Sequence, residues 1–227
     1  MNVPAFRVVV PVRNAAKWIL PCLASIVRQR TAVPVTVCVV DDASTDRTGR
    51  FADYFRGPGF DVLHRQDRVG ALANIAAGLA WQDPHDDDVC VTVDGDDRLV
   101  GLGALDTVDD AYAPMPDGRP CLLTFGDFVQ SNGDGSWVKP YTEKVVAGRA
   151  YRACSFNATH LRTFRYGLWR RIARADLIDP ETGKPWDMAW DQAFMFPMLE
   201  MAGARHRCIA APIYWYNMGN PTSDHRV

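Results

Sequence analysis

The sequence predicts an α/β fold on a mostly parallel sheet flanked by helices, and three observations carry that reading. Over the first hundred of 227 residues, short β-branched runs alternate with helix-period segments, the pattern of right-handed strand–helix–strand crossovers. The polar groups that close three of those runs, Arg13-Asn14, Asp41-Asp42 and Asp94 to Asp97, then fall together at the carboxyl ends of the strands, where such sheets bind ligands. After the Pro-rich stretch Ala113 to Pro120 the pattern changes, so an antiparallel element joins the sheet there.

In chain order the expected elements begin with a strand at Phe6–Val12 and a helix at Ala15–Gln29. A strand at Pro34–Asp41, a helix at Thr45–Phe55 and a strand at Phe60–His64 follow. A helix at Val69–Trp81 and a strand at Asp88–Asp94 complete the repeating part. The strand segments are short Val-rich runs, as expected for strands with helices on both faces. Leu102–Tyr112 has a helical pattern. Cys121–Gln130, the turn residues Ser131 to Gly135 and Trp137-Val138 predict a hairpin, because Asn-Gly supplies the positive φ angles of a tight turn. Helices at Leu161–Arg174 and Trp190–Ala202 and short strands at Arg205–Ala210 and Ile213–Tyr216 complete the expectation. One domain over 1–227 is expected, in two halves, 1–100 and 101–227, because the length suits a single full α/β domain.

Composition narrows the class. Hydrophobic residues make up 48% and charged residues 23%, and no stretch approaches the roughly 18 apolar residues of a spanning helix. The first residues have no basic lead-in and no cleavage-site pattern. Cysteines 22, 38, 90, 121, 154 and 208 lack the paired spacing of a zinc site or a disulfide framework, so a reduced, cytoplasmic setting is expected. Net charge is −2, but Lys144 to Arg174 contains 8 of the 25 basic residues and no acidic one. That segment is suited either to phosphate or to the acidic remainder of its own fold.

The strongest chemical signal is Asp94-Gly95-Asp96-Asp97 directly after Val89–Val93. Three carboxylates at the end of a buried strand repel one another unless solvated or neutralised by a divalent cation. Together with Val8 to Asn14, Val39 to Asp46 and the Gly70 to Asn74 segment, this cluster resembles the family 2 glycosyltransferases. The resemblance is close over residues 6–100 and looser beyond, where His160 to Phe164, Trp190-Asp191-Gln192 and Tyr216 to His225 look like the acceptor half of short members, including some from phage genomes. It implies the GT-A fold, a Rossmann-like nucleotide-binding sheet with a metal-binding Asp-x-Asp motif, in which residues 1–100 would be the nucleotide-sugar-binding half and 101–227 the acceptor-binding half.

The resemblance also implies roles for individual residues. Asp96 is the first choice as ligand of Mn2+ or Mg2+, with Asp97 and a late histidine, His225, completing the shell. Such an ion stabilises charge developing on a leaving diphosphate. Asp94 is expected to face the donor ribose or metal-bound water. Asp41 or Asp42 should meet the base and ribose, with Pro11 and Arg13 lining the same pocket. Ser44 and Asp46 read better as caps of the following helix. The family often has Ala-Arg-Asn where this chain has Leu72-Ala73-Asn74; Gly70 and Asn74 still match, and Arg68 is the expected substitute for the missing arginine. An inverting transfer needs a base on the face opposite the diphosphate. The family's Glu-Asp pair reads Trp190-Asp191 here, making Asp191 the candidate base and Asp187 its reserve. His160, Arg162, Arg165, Trp186 and Trp190 are expected on the acceptor side.

The expected function is an inverting, metal-dependent transfer from a nucleotide-diphosphate sugar, UDP-linked, to a saccharide hydroxyl. The Gln-x-x-Arg-Trp signature of processive synthases is absent, which favours single additions. The interleaved arginines and aromatics of His160 to Arg171 keep a second acceptor open, a hydroxymethylated base in DNA. A nucleotide-sugar-binding module without catalysis is the third reading.

Overall fold

The computed structural model describes residues 4–220. Eight strands form one sheet: β1 (Phe6–Val12), β2 (Val35–Asp41), β3 (Phe60–His64), β4 (Val89–Thr92), β5 (Arg98–Leu99), β6 (Leu123–Gln130), β7 (Arg162–Arg165) and β8 (His206–Tyr216). Their order is β3-β2-β1-β4-β7-β6-β8-β5. The β3-β2-β1-β4 portion is parallel throughout. β7 enters antiparallel between β4 and β6, and β5 pairs antiparallel with β8 at the edge.

The helices are α1 (Ile19–Val27), α2 (Thr48–Asp53), α3 (Ala71–Gln82), α4 (Ala104–Ala111), α5 (Glu143–Gly148), α6 (Tyr166–Trp169) and α7 (Trp190–Ala202). They divide the core by strand parity. Val8, Val10 and Val12 of β1 pack with Ile19 and Leu23 of α1 and Leu105 of α4 on one face. Val9, with Cys38 and Val40 of β2, packs with Ile75 and Leu79 of α3 and Met198 of α7 on the other. Both faces of β1 and β2 are therefore covered, which is why their sequences run apolar without alternation.

Three expectations for the second half are corrected. The segment predicted as a helix over 161–174 opens with β7, followed by a single helical turn, α6. Its ladder with β4 pairs Thr92 with Arg162 and Val89 with Arg165. The pattern is concealed because Arg162, Thr163 and Phe164 are all buried, so no polar face alternates with an apolar one. The hairpin predicted over 121–138 reduces to a single bridge between Val129 and Gly135. β7 pairs with β6 only at Leu123 and Thr124, and past the turn the chain meets the rest of that edge at this one bridge. Trp137 packs edge-on against Phe128 instead. The two short strands expected over 205–216 are one continuous β8.

Candidate active site

A cleft of about 520 Å³ opens at the carboxyl ends of β1, β2 and β4. From β1 it is lined by Pro11 and Arg13, and from the end of β2 by Asp42. The Arg13 guanidinium donates to the Asp42 carbonyl at 3.0 Å. Asp42 is 3% exposed, and its carboxylate accepts the N–H groups of Val69 at 2.8 Å and Gly70 at 3.0 Å. These bonds tie the loop after β3 to the end of β2. Gly70 takes a positive φ of 87° before α3, a conformation open to glycine at little cost. It lines the cleft with Arg68 and Asn74. Arg65 donates to Asn74 Oδ1, while the buried Asn74 Nδ2 has no partner among the described residues.

The floor is the carboxylate cluster after β4. Asp94 accepts from a terminal nitrogen of Arg162 at 2.9 Å, and His160 Nδ1 lies 3.8 Å from the same oxygen. Asp97 is 2% exposed and accepts from the Tyr214 hydroxyl and the Asn217 N–H, each at 2.7 Å. Asp96 is more open and accepts from Asn220 Nδ2 at 2.6 Å. Burial raises the Asp97 carboxyl well above the usual carboxylate range, and the charges of Asp96 and Asp94 add to the rise. Burial also raises Asp94, against the pull of Arg162. His160 is stacked between Tyr214 and Tyr216, with ring centroids at 4.9 and 4.6 Å. Burial and the Arg162 charge push its pKa well below the ordinary imidazole value, so it stands neutral, and Nδ1 is unpartnered among the described residues. Ligand atoms of Asp94, Asp97 and His160 lie within 4.8 Å of one another. Under-neutralised carboxylates beside a neutral imidazole fit a divalent cation.

The far wall is the start of α7. Trp190 and Asp191 line the cleft, as do Asp187 and Ala189 before them. Asp191 accepts from Arg162 at 3.3 Å. Arg68 reaches across to Asp187 at 3.1 Å in an exposed pair, joining the β3–α3 loop to the segment before α7.

Other predicted residues lie elsewhere. Asp41 is turned from the cleft, accepting from Ser44 N–H and paired with His64, each at 3.2 Å. Arg165 sits at the opposite end of β7, its guanidinium on the carbonyls of Cys121 and Asp87. Trp186 donates its indole N–H to the Asp176 carbonyl and does not line the cleft. His225 lies outside the described residues. Tyr214, Asn217 and Asn220, which hold the carboxylate cluster, were missed as site residues. Tyr216-Asn217, at the end of an aromatic strand, was their one sequence signal.

A mostly parallel sheet with an acidic cleft at the carboxyl ends of its strands defines the class, a GT-A-type nucleotide-binding fold. Residues 7–100 match the family model of glycosyl transferase family 2. The chain is 30% identical over 221 residues to an N-acetylglucosaminyltransferase of Rhizobium meliloti (strain 1021), an alignment covering 89% of this chain and 48% of that protein. The chain thus spans about half the length of that relative. In fold it is similar to S. aureus TarS 1–349 solved with UDP-GlcNAc, with a TM-score of 0.67 at 17% identity over 98% of this chain and 61% of that one. It is also similar to the Pyrobaculum calidifontis mannosyltransferase PcManGT solved with GDP-Man and Mn2+, with a TM-score of 0.58 at 21% identity over 97% and 58%. Among the described residues, no helix is long and apolar enough to cross a membrane.

Proposed function

We propose that this protein transfers a sugar, with inversion, from a UDP-linked donor to a hydroxyl of a saccharide, and that a divalent cation assists departure of the diphosphate. The observation that carries this reading is the convergence of Asp42, the Asp94–Asp97 cluster and Asp191 on one cleft. N-Acetylglucosamine is the first sugar to test, because the Rhizobium relative is named for its transfer and TarS was solved with UDP-GlcNAc.

In this reading Pro11, Arg13 and Asp42 meet the nucleoside, and Asp42 rather than Asp41 faces it. Asp96, more open than Asp97, would hold Mn2+ or Mg2+, with Asp94, Asp97 and His160 Nδ1 beside it. The bound ion would act as a Lewis acid on the diphosphate. Gly70 and Asn74 border the diphosphate path, where the α3 N-terminus favours negative charge. Asp191 takes the proton of the attacking hydroxyl, its position across the cleft suiting in-line displacement. Trp190 offers a face for a sugar ring.

The arginines of the basic segment favour a saccharide over DNA as acceptor. Arg152 pairs with Glu200, Arg162 with Asp94 and Asp191, and Arg170 with Asp86. Those pairings take three of the segment's eight positive charges away from a phosphate backbone, the buried Arg162 among them.

The test is UDP release with Mn2+ or Mg2+ over a panel of sugar nucleotides, with and without oligosaccharides and hydroxymethylcytosine DNA. Release stimulated by an oligosaccharide, lost in both Asp96→Ala and Asp191→Asn, is expected. Only Asp96→Ala should greatly weaken metal-dependent UDP binding. Stimulation by DNA alone, or wild-type turnover in either variant, would overturn the corresponding assignment.

A further inference from the structure

Arg162 places a full positive charge inside the sheet. It lies in β7 opposite Thr92 of β4, and its side chain is 1% exposed. Its Nε donates to Thr92 Oγ1 at 3.3 Å, and its two terminal nitrogens donate to Asp94 Oδ2 at 2.9 Å and Asp191 Oδ2 at 3.3 Å. The guanidinium carbon lies 4.9 Å from the centre of the Trp190 ring. A buried guanidinium is costly unless its hydrogen bonds are satisfied, and here every nitrogen is engaged. The planar fork spans two carboxylates that come from different parts of the chain, the end of β4 and the first turn of α7. A lysine ammonium has no fixed fork with which to do this.

We propose that Arg162 is a positioning residue that fixes Asp191 relative to the donor-side carboxylate Asp94, holding base and leaving group in one register. The proposal rests on the reading of Asp191 as base. The other Asp191 oxygen accepts from the backbone N–H of its own neighbour, Gln192, at 2.9 Å. Among the described residues, then, Arg162 is what ties this carboxylate to the rest of the cleft. Without it, Asp94 and Asp191 would face each other as like charges with no guanidinium spanning them, and repulsion would turn Asp191 outward. A misplacement of about 1 Å at a reacting group costs on the order of 100-fold in rate. The bonds already made to Thr92, Asp94 and Asp191 also leave Arg162 little capacity to bind an acceptor.

The experiment compares Arg162→Met, Arg162→Lys, Arg162→Ala and Asp191→Asn in transfer from UDP-GlcNAc to an N-acetylglucosamine oligosaccharide with Mn2+, alongside calorimetric UDP binding. Arg162→Met should lower kcat by about 100-fold while acceptor KM and UDP binding change little. Arg162→Lys should recover only a small part of the loss. Added guanidinium should restore turnover to Arg162→Ala where the same concentration of sodium chloride does not. In the Asp191→Asn background, Arg162→Met should have no further effect. A rise in acceptor KM with kcat intact would make Arg162 an acceptor contact and overturn the proposal. Full kcat in Arg162→Met beside an inactive Asp191→Asn would overturn it alone, whereas wild-type turnover in Asp191→Asn would remove the base reading beneath it.

Discussion

Replacing Asp97 by alanine should damage the fold, whereas the same change at Asp96 should damage chemistry. The Asp97 carboxylate is buried and accepts from the Tyr214 hydroxyl and the Asn217 N–H, each at 2.7 Å. Both donors belong to the end of β8 and the turn after it, so this side chain anchors that end of the sheet to the loop after β4. Alanine leaves both donors without an acceptor in a site largely closed to water, at about 1–3 kcal/mol each. Against this stands relief of repulsion from Asp94 and Asp96, the charges that add to the raised Asp97 pKa. The net expectation is a loss of about 2–4 kcal/mol, or roughly 4–16 °C in Tm for a chain of this size. Asp96 is more open, so Asp96→Ala should move Tm by no more than about 2–4 °C, equivalent to about 1 kcal/mol. Thermal melts followed by far-UV circular dichroism make the comparison. Equal melting of wild type and Asp97→Ala, or an equal loss in Asp96→Ala, would refute the division of labour within the motif.

Two further outcomes follow from packing and charge. A Cβ on Gly78 would stand 2.7 Å from Val9 Cγ1 and 3.2 Å from Val40 Cγ2, so Gly78→Ala should force α3 off the sheet at about 1–3 kcal/mol. Urea denaturation would measure that loss, and an unchanged midpoint would contradict it. Burial pulls the His64 pKa down, but hydrogen bonds and charge from Asp53 and Asp41 raise it more, leaving it above the ordinary value of 6.5. Protonated His64 therefore adds stability below about pH 6.5 that is lost as pH rises through the folded-state value. With its side chain 41% exposed, the contribution is below about 1 kcal/mol. The stability advantage of wild type over His64→Gln should shrink between pH 6 and 8; a constant difference would refute it.

The first half of the fold was legible because its signals are local and repeated. β1 and β3 coincide with the runs Phe6–Val12 and Phe60–His64, and α7 with Trp190–Ala202. The helices of the first half keep their places with shifted ends: 15–29 becomes Ile19–Val27, 45–55 becomes Thr48–Asp53 and 69–81 becomes Ala71–Gln82. Pattern reading identifies an element more reliably than it locates its ends. The cleft was legible to the same degree, because strand ends in a parallel sheet must share an edge. Which way a side chain turns at that edge was not. Asp41 and Asp42 are adjacent, yet Asp42 lines the cleft while Asp41 turns to His64. That choice depends on a histidine 23 residues away.

The basic segment shows why composition misleads where a charge is buried. Arginines interleaved with Phe, Tyr and Trp describe a nucleic-acid surface equally well as a strand whose charges face inward, because hydropathy scores the guanidinium as exposed in either case. What separates the two is the acidic residues elsewhere in the fold. Asp86, Asp94, Asp191 and Glu200 lie 84, 68, 29 and 48 positions from their arginine partners, beyond any local window. The pairs differ in kind. Arg170–Asp86 is exposed on both sides, at 60% and 58%, and such a pair contributes at most about 1 kcal/mol. Arg162 is closed off, and removing either partner of a buried pair strands a charge at a cost of about 3–5 kcal/mol. An arrangement that costly to disturb, touching both the donor-side cluster and the candidate base, makes Arg162 a constraint on site geometry as well as a fold contact.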